Sequence, residues 1–243
     1  MRTYAIGDIH GHLDRLRAAH ALIAADGGAD APVVHLGDLI DRGPDSRGVL
    51  ALLIDAQARG RDWRAVMGNH DLQLWKFLHD PDWIDPGSAD QHHWIERPHS
   101  GAVQTLASYG IPDAANRPRA EVHAEALARV PAGHARWLEA LPLYLDDPGG
   151  WLFVHAGIRP GIALKDQRRE DLTWIRREFH DSTADHGRLV VHGHQPVRQV
   201  THYGNRLNVD TGAAHGGPVS AVRLEGDGVW LLTDDGARQV VPQ

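Results

Sequence analysis

An apolar run passes directly into a polar turn in Thr3-Tyr4-Ala5-Ile6-Gly7-Asp8-Ile9-His10-Gly11. The same combination recurs four times further along the chain. The later clusters are Gly37-Asp38-Leu39-Ile40-Asp41-Arg42-Gly43, Gly68-Asn69-His70-Asp71, His155-Ala156-Gly157 and His192-Gly193-His194. Near-continuous apolar runs are typical of strands that are buried on both faces of a sheet. We therefore predict strands at Thr3 to Ile6, Pro32 to Leu36, Arg64 to Met67, Trp151 to Val154 and Leu189 to Val191.

Helical patterns separate these runs. In residues 13–25, apolar side chains recur at helical spacing, at Leu13, Leu16, Ala19 and Ile23. Ser46 is the predicted N-cap of a second helix, which stops at Gly60. Strands that alternate with helices pair in parallel, and the ligands of such sheets gather at the carboxyl ends of the strands. We therefore expect all five clusters to meet at one edge.

Two further regions complete a single predicted domain over residues 1–243. After Asn205 the pattern predicts strands at Arg206 to Val209, Val219 to Leu224 and Val229 to Thr233. Residues 80–148 predict a helical insertion with short helices at Ala102 to Tyr109 and Arg119 to Val130. The insertion either covers the strand edge or packs against the outside of the core. Trp94 and Trp137 would line a substrate groove only in the first case.

Composition limits the classes of function. The chain has no cysteine, so any metal must be held by histidine, carboxylate or amide. A formal net charge of −7 argues against general binding to nucleic acid. No apolar stretch is long enough to span a bilayer, and the first residues leave no room for a signal peptide. We therefore expect a cytoplasmic protein, and no pattern indicates its oligomeric state.

The clusters supply oxygen and nitrogen ligands for two adjacent divalent ions. Asp8 and His10 lie in one turn and can bind one ion, and Asp38 can bridge both ions with its two oxygens. The other ligands of the second ion would be Asn69, His155 and His194. Carboxylate, amide and imidazole favour Mn²⁺, with Fe²⁺ or Zn²⁺ as alternatives. Two such ions about 3.5–4 Å apart would activate a bridging hydroxide for in-line attack on phosphorus.

Two further residue types beside these ligands suit phosphate chemistry. Arg42 lies in a glycine-bounded loop near Asp38, where its planar guanidinium can hold two phosphate oxygens. His70 follows a predicted ligand and can reach a leaving group as a general acid. A neighbouring carboxylate would keep its imidazole protonated near neutral pH, and Asp41 is the candidate.

The five clusters resemble the phosphoprotein phosphatase family within the calcineurin-like metallophosphoesterases. The pattern of that family is GDxHG, GDxVDRG, GNHE, a histidine after a later strand and a final GH or AH. Residues 7–11 match fully, and residues 37–43 match with Ile40 in the valine place. The likeness spans about residues 2–217 and is closest to small bacterial serine/threonine phosphatases. It implies a four-layer α/β/β/α sandwich with two mixed β-sheets.

The resemblance also implies roles for individual residues. It assigns metal ligation to Asp8, His10, Asp38, Asn69, His155 and His194. It assigns phosphate binding to Arg42, and acid–base chemistry to His70 with Asp41. Asn69 is a further candidate for binding the substrate phosphate. Trp174-Ile175-Arg176 looks like a tryptophan-x-arginine segment of bacterial and phage members, which adds Arg176 as a second phosphate-binding arginine. The role of the adjacent Arg177 stays open.

Two positions depart from the family pattern. Asp71 stands where the family has glutamate, so the groups that this shorter carboxylate anchors would shift. The final motif carries two histidines, and strand alternation would place both rings on one side. The following Gln195-Pro196 makes His194 the better match to the ligand and leaves His192 beside it. A supporting role stays open for three residues near the motifs: His12, Asp210 and Thr211.

The resemblance implies a dinuclear metal-dependent phosphatase in which His70 protonates the departing alkoxide. Phosphoserine and phosphothreonine in proteins are the first expected substrates, ahead of small phosphorylated compounds. An alternative is hydrolysis of dinucleoside polyphosphates such as diadenosine tetraphosphate, because similar bacterial proteins with these motifs cleave the anhydride. A third hypothesis is a non-catalytic phosphate-binding module. That hypothesis expects a missing ligand or a missing acid, and all of these residues are present.

Overall fold

The predicted alternation of strands and helices is present in the computed structural model, which describes residues 2–88 and 91–243. Met1, in the predicted N-terminal stretch, and Ala89 and Asp90, in the predicted insertion, lie outside the described residues. The strands are β1 (Arg2–Ile6), β2 (Val33–His35), β3 (Trp63–Ala65), β4 (Tyr144–Asp147), β5 (Trp151–Val154), β6 (Leu189–His192), β7 (Thr201–His202), β8 (Arg206–Asn208), β9 (Ala221–Glu225), β10 (Gly228–Thr233) and β11 (Gly236–Gln239). The helices are α1 (Leu13–Gly27), α2 (Ser46–Ala58), α3 (Asn69–His79), α4 (Ala102–Ser108), α5 (Arg119–Arg129), α6 (Ala132–Glu139), α7 (Arg169–Trp174) and α8 (Arg177–His180).

The strands form two mixed sheets. The first has the order β11-β10-β9-β1-β2-β3, with β1, β2 and β3 parallel and β9 antiparallel to β1. The second has the order β4-β5-β6-β8-β7, with β5, β6 and β8 parallel. In the first sheet the antiparallel strands lie on one side of the parallel ones, and in the second sheet they lie on both sides, so both sheets are mixed as predicted.

Three apolar clusters separate the layers of the sandwich. The cluster between the sheets contains residues from both sheets: Val34, Leu36, Phe153, Val191, Leu207 and Val222. On the outside of the first sheet, Leu16 and Ile23 of α1 and Leu50 and Leu53 of α2 pack over β1 and β2. On the outside of the second sheet, Leu172 of α7 and Phe179 of α8 pack over β5 and β6. The four-layer α/β/β/α prediction is confirmed.

The carboxyl ends of the central strands lie side by side. In the first sheet Ile6 pairs with His35 and His35 pairs with Ala65, so β1, β2 and β3 end at the same level. In the second sheet Phe153 pairs with Val191, so β5 and β6 end together. Four of the five polar clusters begin at the last residue of a strand or one or two residues after it. The cluster after β3 begins three residues after the strand ends. The predicted edge therefore exists.

Residues 80–143 form the insertion, and every element in its described part is helical; it ends earlier than the predicted residue 148, because residues 144–147 form β4. Helix α4 packs against α2, and α6 packs against α2 and α3. The loop before α4 also reaches the strand edge, where residues 97–100 line a cleft. The insertion therefore packs against the outside of the core and also reaches the strand edge, so both alternatives from the sequence apply. None of the described helices is long and apolar enough to cross a bilayer.

Two local predictions were wrong. Asp45 is the N-cap of α2, since its carboxylate accepts a 2.7 Å hydrogen bond from the Gly48 N–H, and Ser46 is the first helical residue. Strand alternation does not place His192 and His194 together, because β6 ends at His192 and His194 adopts a left-handed φ of 68°. Helix α3, which begins inside the third cluster, was not predicted.

Candidate active site

Close backbone approaches bring the clusters together. A Cβ on Gly68 would lie 2.1 Å from the backbone nitrogen of Asp38, so a larger residue would push apart the loops that carry Asp38 and Asn69. In the same way, a Cβ on Gly193 would lie 2.0 Å from Asp8 Oδ1. Glycine at both positions therefore lets the two sheets deliver side chains to one place.

The site also concentrates unfavourable backbone conformations. Eight described non-glycine residues have a positive φ, and five of them belong to the clusters: His10, Asp38, Asp41, Arg42 and His194. Left-handed conformations cost free energy outside glycine and persist where surrounding contacts enforce them. Their concentration at one edge marks a functional site.

One set of ligand atoms surrounds Asn69. Burial lowers the pKa of His155, so its ring is neutral and carries one N–H. That N–H is on Nδ1, which donates to the Leu36 carbonyl at 2.8 Å. The bare Nε2 then faces Asn69 Oδ1 at 2.9 Å and Asp38 Oδ1 at 3.4 Å. His194 Nδ1 lies 3.0 Å from the same amide oxygen. The bare His155 Nε2 and the oxygens of Asn69 and Asp38 converge without a hydrogen between them, which fits a bound cation.

A second set surrounds the other oxygen of Asp38. His10 Nδ1 donates to the Ile40 carbonyl at 3.0 Å, which leaves Nε2 bare at 3.6 Å from Asp38 Oδ2. His70 Nε2 lies 3.9 Å from that oxygen, and the ligand atoms of these three residues all lie within 4.8 Å of one another. Asp38 thus faces a separate donor group with each oxygen.

Asp8 lies beside these sets rather than within the His10 group. Both of its carboxylate oxygens accept from the His194 backbone N–H at 3.2 Å. Burial raises the pKa of Asp8 well above its ordinary value, and Asp210 and Asp38 add to the rise. The proposal that Asp8 shares an ion with His10 therefore stays a prediction, with a buried carboxylate in the right neighbourhood.

The charge balance of the site favours cations. Asp8, Asp38, Asp71 and Asp210 are all buried. Burial and the nearby Asp38 raise the pKa of Asp71 to about 7, and burial raises that of Asp210 to about 6. Buried carboxylates are stable when paired or bound to metal, so divalent ions fit this site.

Arg42 and the His70–Asp41 pair lie against the second set. The Arg42 guanidinium lies 3.2 Å from Nε2 of His10 and 3.2 Å from Nε2 of His70. On the far side of its ring, His70 Nδ1 lies 2.6 Å from Asp41 Oδ2. Burial alone would lower the pKa of His70, but the carboxylates of Asp38 and Asp41 outweigh it and raise the pKa. The arrangement matches a proton donor held by a carboxylate.

An open cleft of about 300 Å³ borders these groups. Three arginines line it, Arg42, Arg97 and Arg176, and Asp38 supplies the only carboxylate among its described lining residues. Arg177 begins α8 and is outside that set. The cleft is therefore strongly cationic once Asp38 is engaged by metal. Residues 97–100 were missed by sequence reasoning, because no periodic pattern marks them.

The other residues that the sequence singled out contact neighbouring protein groups and do not line the cleft. Asp71 reaches both of its partners despite its shorter side chain, because it accepts from the N–H groups of Leu39 and Gly68 at 2.9 Å. Asp210 accepts from Gly212 N–H at 2.9 Å, and the Thr211 hydroxyl donates to the Pro218 carbonyl. His192 packs on Phe179 and His180, away from the contacts of His194. Trp94 and Trp137 are outside the described cleft lining.

The chain was compared with known proteins. It is 27% identical to the asymmetrical bis(5'-nucleosyl)-tetraphosphatase PrpE of Anoxybacillus flavithermus, over 90% of this chain and 88% of that one. It is also 27% identical to serine/threonine-protein phosphatase 1 of Salmonella typhimurium, over 92% of both chains. A cold-active protein-tyrosine phosphatase of a psychrophilic Shewanella species has the same fold, with a TM-score of 0.64, 18% identity and coverage of 99% of this chain and 80% of that one.

The comparison with a family model covers nearly the whole chain. The model of the calcineurin-like phosphoesterases matches residues 1–229. That range contains all five polar clusters and both sheets except β11 and most of β10. The chain therefore belongs to the calcineurin-like phosphoesterase family, and it is a phosphoesterase enzyme.

Proposed function

We propose that the chain hydrolyses phosphorylated substrates with two divalent cations that share Asp38. The observation that supports this most is the arrangement of bare ligand atoms around the two oxygens of Asp38, each with its own histidines. The ligands would be Asp8, His10, Asp38, Asn69, His155 and His194, and Mn²⁺ is the first candidate, with Fe²⁺ or Zn²⁺ as alternatives. Burial and the absence of thiolates suit these ions.

Different residues of this chain have different roles in the reaction. When bound, the cations supply a water of lowered pKa and neutralise charge on the substrate phosphate. Arg42 and Arg176, which both line the cleft, hold phosphate oxygens, and Asn69 contributes its amide. His70 donates the proton of Nε2 to the leaving oxygen, while Asp41 holds the ring by Nδ1. The intact set argues against a non-catalytic module.

The cleft favours a substrate with several phosphates. Three arginines line one 300 Å³ cleft, more than a single phosphate monoester needs, and one of them, Arg97, also donates to Gln73 Oε1 at 3.2 Å. Relatives of this chain include bis(5'-nucleosyl)-tetraphosphatases. A dinucleoside polyphosphate is therefore our first candidate substrate. A phosphoprotein is the second, since the cleft is open to solvent and one relative is named as a serine/threonine-protein phosphatase.

The two substrates can be compared directly. We expect kcat/KM for diadenosine tetraphosphate to exceed that for a phosphoserine peptide by at least about 10-fold, which corresponds to one additional charge-assisted contact. Arg97→Gln should reduce this preference and leave hydrolysis of p-nitrophenyl phosphate nearly unchanged, because a single phosphate leaves Arg97 unused. A higher kcat/KM for the phosphopeptide would assign the enzyme to protein substrates instead.

Adjacent arginines offer a matched pair of variants. Arg176→Ala should lower kcat/KM about 10-fold, because one charge-assisted contact to phosphate is lost. Arg177→Ala should have little effect, because Arg177 is exposed and outside the cleft lining. Steady-state kinetics of both variants on one substrate would measure the difference. Equal losses, or a larger loss for Arg177→Ala, would remove Arg176 from phosphate binding.

A further inference from the structure

We propose that Trp94 and Thr105 of the insertion are positioning residues for catalysis, which orient His70 by holding Asp41. This inference rests on the proposed function of His70 as the proton donor. Residues 80–143 otherwise look like a covering of the core, since most of their helices pack against α2 and α3. The contacts of Asp41 show that the insertion reaches the reacting groups as well.

The carboxylate of Asp41 is completely enclosed by donors. Its exposure is 0%, so each oxygen must be satisfied within the protein. Oδ2 faces His70 Nδ1 at 2.6 Å and accepts from the Trp94 indole N–H at 2.9 Å. Oδ1 accepts from the Thr105 hydroxyl at 2.6 Å. Apart from His70, both side-chain donors come from the insertion.

The backbone of Asp41 depends on the same segment. Its N–H lies 2.9 Å from Thr105 Oγ1 and 3.1 Å from Ser46 Oγ, while its own φ is a left-handed 74°. The insertion comes this close only because residue 101 is glycine, at a φ of 93°. A Cβ at Gly101 would lie 2.1 Å from the backbone nitrogen of Arg42. Thr105 therefore stabilises both the strained turn and the carboxylate that the turn presents.

Trp94 connects Asp41 to the helix that carries His70. Its ring is 4% exposed and packs against Phe77 of α3 with a 5.4 Å centroid distance. The indole N–H occupies one lone pair of Oδ2 and leaves the other directed at His70 Nδ1. Without that N–H the carboxylate can rotate, and the imidazole loses its fixed direction toward the leaving oxygen. Partners of this kind typically change activity by about 10–100-fold.

The insertion itself provides a matched control. Trp137 lies in α6 and donates its indole N–H to Gln57 Oε1 at 2.6 Å, so Trp137→Phe deletes the same kind of bond. Trp137 contacts none of the groups around Asp41 among the hydrogen bonds described. Trp94→Phe and Trp137→Phe would be compared in the metal-loaded enzyme on an alkyl phosphate and on p-nitrophenyl phosphate. An alkoxide needs the proton donor, whereas p-nitrophenolate leaves without one.

We expect Trp94→Phe to lower kcat on the alkyl phosphate about 10–100-fold, with a much smaller loss on p-nitrophenyl phosphate and unchanged metal content. Trp137→Phe should show no such selectivity. Trp94→Phe added to His70→Asn should lower the rate no further, because both changes act through one proton transfer. Thr105→Val should resemble Trp94→Phe, and Thr105→Ser should recover most of that loss through its hydroxyl.

The outcomes separate this inference from the proposed function. If His70→Asn is selective for the alkyl phosphate but Trp94→Phe is not, the positioning role is overturned and the proposed acid stands. Additive losses in the double variant would also overturn it. If His70→Asn itself shows no selectivity, the proposed acid fails, and the positioning role fails with it.

Discussion

Replacing Asp38 with asparagine should lower turnover by more than about 100-fold and empty both metal positions together. The two oxygens of Asp38 face separate histidine groups, at 3.6 Å from His10 Nε2 and 3.4 Å from His155 Nε2. Loss of one negative charge therefore weakens two sites at once. Changes in groups that merely support a metal ligand cost about 10–100-fold, and a shared ligand must exceed that. Elemental analysis and steady-state kinetics on the purified variant measure both effects.

The matched control is Asp147→Asn. Asp147 is also a buried aspartate, but it pairs with Trp151 at the amino end of β5, the opposite edge from His155. This variant should retain its metals and its activity. Full metal content in Asp38→Asn would contradict the shared carboxylate, even if activity were lost.

His70→Asn should lower kcat by about 10²–10⁴-fold, the usual span for general acid–base catalysis. The amide of asparagine cannot transfer the proton that His70 Nε2 supplies, although it can keep a hydrogen bond to Asp41. The loss should be largest for unactivated alkyl phosphates. Metal content should remain unchanged, because the proposed ligands are all retained. Kinetics on a series of leaving groups, with elemental analysis of the same samples, would test this.

Metal analysis of this variant also decides between two roles for His70. Its ring nitrogen lies within 4.8 Å of ligand atoms of His10 and Asp38, so the geometry would also allow it to bind an ion. Loss of one metal from His70→Asn would make His70 a ligand. Undiminished rates on both activated and unactivated substrates would exclude it as the acid.

Much of the fold was predictable from the sequence, because each apolar run that indicates a strand is followed directly by a polar cluster that indicates the site. The five apolar runs became β1, β2, β3, β5 and β6, and their register brings the polar clusters to one edge. Parallel pairing makes that convergence necessary, whatever the distance in sequence. The tail strands β8, β9 and β10 were also predicted, because apolar residues alternate along them between glycine-rich turns.

Elements without a clear apolar pattern were missed. Strand β11 is exposed along its whole length, and β7 has two residues, so neither carries a burial signal. Helix α3 begins with Asn69, His70 and Asp71, which were interpreted as a turn because of their chemistry. The N-cap of α2 was placed one residue too late, because serine and aspartate are both good caps and adjacent in the chain.

The site residues that belong to sequence motifs were predictable. Those that reach the site through contacts between distant parts of the chain were not. The motif residues meet, and the bare nitrogens around Asp38 follow from them. Trp94, Thr105 and Arg97 come from an insertion without periodicity, so their proximity to Asp41 and the cleft could be seen only in three dimensions. Trp94 was considered for a substrate groove, whereas it is buried against Asp41.

The central claim is that two cations share one carboxylate. Anomalous diffraction from crystals of the Mn²⁺-loaded enzyme tests it most directly. We expect two peaks about 3.5–4 Å apart on either side of the Asp38 carboxylate, one next to His10 and the other next to His155 and His194. A single peak, or two peaks that do not both touch Asp38, would contradict this account.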